Sequence, residues 1–123
     1  MVGHKKLDQQ RENLLVLAEM LVEMSNDPAA DPEVFGDTVF EFAQRAEFHF
    51  YQEELFLAEK NYPRLTNQQE AHHRCRDYLL ACFANMEQTL LERQQVASFL
   101  YQFMVTHITE EDMLYQALCS HGN

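Results

Sequence analysis

Apolar residues along this chain recur at alternating steps of three and four, the period of a helix face turned into a bundle. The first run, roughly 5–26, carries Leu7, Leu14, Leu17, Leu21 and Met24, and ends at Asn26-Asp27-Pro28 and Asp31-Pro32, which cannot continue a helix. Pro32 suits the first position of a second helix, which the pattern carries to about Lys60 through Phe35, Val39, Phe42, Ala46, His49, Glu53 and Phe56. Asn61-Tyr62-Pro63 stops it, and a third helix follows with Leu65, Gln68, His72, Cys75, Leu79, Cys82 and Met86 on its seam. No Gly or Pro marks the break before the fourth helix, which the pattern places within 86–94. From there to about residue 119 one stripe holds Val96, Leu100, Phe103, His107 and Leu114, and a neighbouring one holds Tyr101, Val105, Ile108, Asp112, Tyr115 and Cys119. Two stripes predict a deeply embedded helix. Four helices with short connections predict an all-α, up-down-up-down antiparallel four-helix bundle, with residues 1–123 as one domain.

Composition narrows the partners more than the fold. With 46% hydrophobic residues but only three Gly and three Pro in 123 residues, the chain is too apolar for disorder and too poor in turn residues for an all-β domain. Twenty acidic against nine basic side chains give a formal charge of -11, which repels phosphate backbones and anionic lipid and sets nucleic acid and membrane surfaces aside as partners. No run reaches the roughly 18 apolar residues of a membrane span, and Met1–Gln10 lacks the apolar stretch of a signal peptide, so the cytoplasm is the expected location. Cys75, Cys82 and Cys119 are odd in number and without CxxC spacing, which predicts reduced thiols rather than a disulfide framework or a zinc ribbon.

The seams are polar where a bundle core is ordinarily apolar. His49 and Glu53 are four residues apart and share one face of the second helix; Gln68 and His72 repeat that spacing on the third, and His107 stands on the fourth with Asp112 five residues on. Five residues is roughly 140° of helix, so His107 and Asp112 converge only if they straddle a point or the helix widens locally. Glu111 is the rival by angle, while Asp112 has Ile108 and Tyr115 as stripe neighbours. Singly, each group has an ordinary reading: a hydrogen-bonded core histidine, an interhelical ion-pair partner, an amide that fixes register. Together, three imidazoles and two carboxylates at one depth would bury uncompensated negative charge unless a cation sits among them. Imidazole and carboxylate without thiolate suit iron, manganese or zinc.

The sequence His49-Phe50-Tyr51-Gln52-Glu53-Glu54, then Asn61-Tyr62-Pro63, His72 and His107-Ile108-Thr109-Glu110-Glu111-Asp112 resembles the hemerythrin family pattern HFxxEE, YP, HxxxH, HIxxxD over nearly the whole chain. The resemblance implies a di-iron-type core that binds O2, with Glu53 and Asp112 as bridging carboxylates and His49, His72 and His107 as terminal ligands. Two positions depart from it. After Leu7-Asp8-Gln9-Gln10 stands Arg11 where the family has histidine, and Gln68 occupies the first position of HxxxH. In the family the first-helix histidine and the counterpart of His49 serve one iron, and the third-helix pair with the counterpart of His107 serves the other. Each iron therefore loses one imidazole, and a single metal is expected nearer His72 and His107 than Arg11. His4 and His73 are substitutes by composition only.

Arg11 lies among Leu7, Leu14, Leu15 and Ala18, and has two readings: a snorkelling side chain whose head reaches solvent, or a fixed cation in place of one metal. Cys75, one turn past His72, replaces the usual Phe and either packs, opens space beside the metal or, remotely, ligates it; Phe103 replaces the usual Trp and walls the site. The resulting expectation is a non-haem metal-binding protein, iron first and manganese or zinc next, with fewer than two tight irons. Its small-molecule partner is O2 or a peroxide, and a homo-oligomer stays open. The competing reading is a degenerate interaction or regulatory module with one structural metal or none. An enzyme ranks last, because no distinctive general base or nucleophile accompanies the ligands.

Overall fold

The computed structural model describes residues 5–84 and 89–121, with side chains in the last segment described as far as Glu110 and at Met113. Four helices follow in order: α1 (Lys5–Ser25), α2 (Pro32–Glu59), α3 (Leu65–Ala84) and α4 (Leu90–His121). Each packs on the next and α4 returns to α1, closing the up-down-up-down four-helix bundle that the periodicity predicts.

Local chemistry sets the helix ends. The Asp31 side chain accepts from the Glu33 amide at 2.9 Å and Pro32 opens α2, so the α1–α2 loop is a cap with a proline behind it. At the far end Asn61 adopts φ 54°, the left-handed conformation that asparagine tolerates, and the Tyr62 amide bonds back to the Leu57 carbonyl at 3.0 Å. That wrapped turn stops α2 and delivers Pro63 to the loop. The start of α4 is a capping box: the Glu92 amide donates to Thr89 Oγ1 at 3.1 Å and the Thr89 amide to Glu92 Oε1 at 3.0 Å. This reciprocal pair does the work of the missing Gly or Pro.

The core has two apolar parts. The larger is built from Leu14, Ala18, Leu21, Phe35, Phe42, Ala46, Phe50, Leu79, Leu100 and Met104, and the smaller from Leu7 and Leu57 with Phe56, Tyr62 and Leu65 against them. On α2 the first part ends at Phe50 and the second begins at Leu57, which leaves Glu53 between them. Two seam assignments shift. The α2 stripe ends on buried Leu57 rather than half-buried Phe56, one turn past Glu53. On α4 Tyr101 and Ile108 of the second stripe are half-buried against the core but Val105 is 38% exposed, while Ala97 and Met104 are buried and widen the Val96, Leu100, His107 stripe. An antiparallel bundle needs one face about 100° wide from each helix, and Ala97 with Met104 supplies that width on the side facing the core.

Candidate metal centre

Between the two apolar parts lies a layer of buried polar side chains. His49 and Glu53 project from α2, His72 from α3 and His107 from α4, all within 2% of complete burial. Their geometry converges on one carboxylate. His49 Nε2 and His107 Nε2 each stand 3.4 Å from Glu53 Oε2, and His72 Nε2 stands 2.9 Å from Glu53 Oε1. Three helices thus aim the same ring atom at the two oxygens of a fourth side chain.

The outer ring nitrogens explain this orientation. Gln10 Oε1 on α1 accepts from His49 Nδ1 at 2.9 Å, and Glu54 Oε2 accepts from His72 Nδ1 at 2.7 Å. With Nδ1 engaged outward, Nε2 is the atom turned to the interior, the arrangement by which carboxylates and amides orient histidine ligands. Aromatic contacts complete the packing: Phe50 stacks on His72 with centroids 4.1 Å apart, and Phe103 stacks on His107 at 5.4 Å.

Electrostatics prepare the layer for a positive charge. Burial pushes the Glu53 carboxyl up, but the nearby His107 and hydrogen bonds from His107, His49 and His72 outweigh it and hold Glu53 well below the ordinary carboxylate range. Burial pushes His107 down, against the pull of Glu53, so its imidazole favours the neutral form. A buried carboxylate beside neutral imidazole is the protonation state in which such groups bind cations.

Do these residues fit one? Donor atoms of His49, Glu53 and His107 all lie within 4.8 Å of one another. A cation about 2.1 Å from each donor separates neighbouring donors by about 3.0–3.5 Å at octahedral or tetrahedral angles, which accommodates the 3.4 Å spacings. The residues fit a divalent ion.

The remaining sequence candidates separate cleanly. Arg11 is only 4% exposed and ion-paired with Asp8, so it is not a snorkelling side chain; it belongs to the α1 wall beside Gln10. Gln68 is buried one turn before His72. Cys75 packs within the large apolar core among Phe42, Ala46 and Leu79, where burial pushes its thiol up to about 12. Phe103 does wall the site, through His107. His73 is exposed and contacts Arg76, outside the layer. The side chains of Asp112 and its rival Glu111, and the whole of His4, lie outside the described residues. Sequence reading gave Gln10 and Glu54 no role, although Glu54 follows Glu53 directly and Gln10 precedes Arg11; a search for acceptors one helix away from each histidine would have found both.

Within the layer, His49 and His107 share Glu53 Oε2 while His72 takes Oε1, so the compact donor set among the described residues is His49, Glu53 and His107.

A family model described as the hemerythrin HHE cation-binding domain matches residues 2–119. The chain belongs to that family. Comparison with curated proteins and with solved structures finds no match. This hemerythrin-family chain thus joins a cation-binding domain to a buried histidine and glutamate cluster that suits a cation, and no described helix is long and apolar enough to cross a membrane.

Proposed function

We propose that this hemerythrin-family protein, as one domain over residues 1–123, holds a single tight non-haem iron through His49, Glu53 and His107 and uses it to bind or sense O2 or to handle peroxide. The observation that carries the reading is the pair of equal 3.4 Å approaches of His49 Nε2 and His107 Nε2 to one oxygen of Glu53. Two imidazoles and one carboxylate with open positions beyond them are a donor set that suits ferrous iron. Asp112 completes the proposed ligands by family register, and His72 contributes from Oε1 of Glu53.

Access supports the reading. A cleft of about 290 Å³ between α3 and α4 reaches His107 and is walled by Phe99, Phe103 and Ala71, with Arg74 and Glu110 among its lining residues. Its lining is mostly apolar near the imidazole, which suits a small neutral molecule such as O2. Bound iron would supply the redox chemistry; the chain supplies orientation through Gln10 and Glu54, a dry layer between apolar clusters, and a neutral His107.

The second reading, a regulatory module with one structural metal or none, draws on Arg11. A buried, ion-paired arginine stands where the family has a histidine ligand, which disfavours a full complement of two irons. Iron content and visible absorbance of protein reconstituted anaerobically and then exposed to O2 separate the two. About one iron per chain with an O2-dependent spectrum, both lost in His107→Ala, supports the first; a metal that leaves the spectrum indifferent to O2 supports the second.

A further inference from the structure

Away from the metal layer, α2 carries a glycine that its own backbone does not require. Gly36 stands inside the helix without a positive φ, and a Cβ placed on it would meet nothing within 4 Å. Neither conformation nor close packing asks for glycine there, although glycine inside a helix is less stable than alanine. What the missing side chain leaves open is the wall of a cleft of about 450 Å³ between the first turns of α2, the last turns of α3 and the start of α4. Gly36 and Glu53 are about 25 Å apart along α2, so the cleft is separate from the metal centre. Its floor is apolar: Phe35 and Val39 are buried, and Phe40 and Phe83 meet edge to face with centroids 5.9 Å apart. Phe40 nonetheless stays 54% exposed. Glu33 and Asp37, one turn apart and exposed, line the same cleft with no ion pair among the described residues, whereas Arg93 on the α4 side has an interaction of its own.

We propose that this cleft binds a small lipophilic ammonium ion, its apolar body against Phe35, Val39 and Phe83 and its charged head at Glu33, Asp37 and the face of Phe40. The volume lies in the range of small-molecule sites, and the lining has their composition, an apolar floor with a few polar groups at one side. Charge selects the head. Two carboxylates against one guanidinium leave the rim net negative, and like charges four residues apart on a helix repel until a cation comes between them. A ligand carboxylate would meet both acidic groups, and Arg93 is not free to receive it. An ammonium is attracted to the carboxylates and also to an aromatic face, which exposed Phe40 provides beside them. Gly36 supplies the clearance, because a larger residue at this point of α2 would stand in the cleft that the ligand fills.

The test titrates the full chain calorimetrically with 4-phenylbutylamine, 4-phenylbutanol and 4-phenylbutyrate, which share one apolar body and differ in the charge of the head. The amine binds at about one equivalent per chain, at least about fivefold more tightly than the alcohol, and the carboxylate is weakest. On wild-type protein the bound amine slows alkylation of Cys82, which lines the cleft, by iodoacetamide, read by peptide mass spectrometry. Gly36→Leu weakens amine binding at least about tenfold while melting no lower than wild type, since leucine is the better helix former. Glu33→Gln combined with Asp37→Asn brings the amine to the affinity of the alcohol. Absence of saturable amine binding, unprotected Cys82, equal affinity in Gly36→Leu, or tighter binding of the alcohol or the carboxylate than of the amine overturns the proposal. Metal-free and iron-loaded protein bind the amine alike, so a chain that takes iron and not the amine refutes only this inference, and one that takes the amine and not iron refutes only the metal centre.

Discussion

Replacing Glu53 by leucine tests whether the buried carboxylate is kept for a cation or for the fold. In metal-free protein Glu53 is fully buried with three imidazoles around it, and a buried charge cluster of that kind contributes little net stability after desolvation. Leucine has similar volume and lies between Phe50 and Leu57, both fully buried, so it extends an existing apolar wall. His49 and His72 keep their outer partners Gln10 and Glu54, which holds both rings in place. Exchange of a buried ionic group for a well-packed apolar one is typically neutral to about 1–4 kcal/mol stabilising. For 123 residues the unfolding entropy is about 0.26 kcal/mol/K, so each kcal/mol moves Tm by about 4 °C. Metal-free Glu53→Leu should therefore melt between the wild-type temperature and about 15 °C above it. Iron reverses the order. At a free concentration one hundred times Kd, wild type gains about 2.7 kcal/mol, or about 10 °C, and the variant gains nothing. Calorimetric melting of both proteins with and without ferrous iron, under nitrogen, reads the crossing. A metal-free variant more than about 3 kcal/mol less stable than wild type would show that the carboxylate is a structural hub. A variant still raised by iron would remove Glu53 from the ligands.

Other expectations follow from single contacts. Gln10→Leu removes the acceptor that orients His49, and ferrous affinity measured by competition with a chelator should fall about 10–100-fold while the circular dichroism stays unchanged. The Cys75 thiol is raised from its ordinary 9.0 to about 12 by burial, so the folded state resists deprotonation that the unfolded state undergoes. Stability should then fall by about 1.4 kcal/mol per pH unit from about pH 9 to about 12, and urea melts of Cys75→Val should show a shallower alkaline slope. Thr89→Ala breaks the capping box of α4 and should cost about 1 kcal/mol, a Tm loss of about 4 °C, with metal binding unaltered.

How far the sequence could be read depended on the type of interaction. Helix spans followed from periodicity and from local stops such as Asp31-Pro32 and Asn61-Tyr62-Pro63, since these act within a few residues. The start of α4 was also local, but its signal, Thr89 and Glu92 three apart, is a polar pair that a search for Gly and Pro passes over. Facing directions were legible for His49, Glu53, His72 and His107 because one turn of helix carries both members of each pattern. Within the second α4 stripe Tyr101 and Ile108 pack against the core but Val105 does not: it has the right period, but how far each of two adjacent stripes turns inward is decided by the neighbouring helices, and Ala97 and Met104 occupy the side facing them. For the same reason the sharing of Glu53 oxygens between His49 with His107 and His72 alone was out of reach, because it depends on the relative placement of three helices. Arg11 shows the limit of a residue-by-residue reading. Its burial followed from the seam, but its ion pair with Asp8, one turn earlier, was not considered alongside the solvent and metal-replacement alternatives.

Mössbauer spectroscopy of protein loaded with ⁵⁷Fe under reducing conditions, combined with iron and protein quantification on the same sample, tests the central claim most directly. The account predicts about one tight iron per chain with the spectrum of an isolated high-spin ferrous ion in nitrogen and oxygen ligation, abolished in His107→Ala. Two tight irons per chain with magnetically coupled spectra would contradict it, as would a chain that retains no iron after gel filtration.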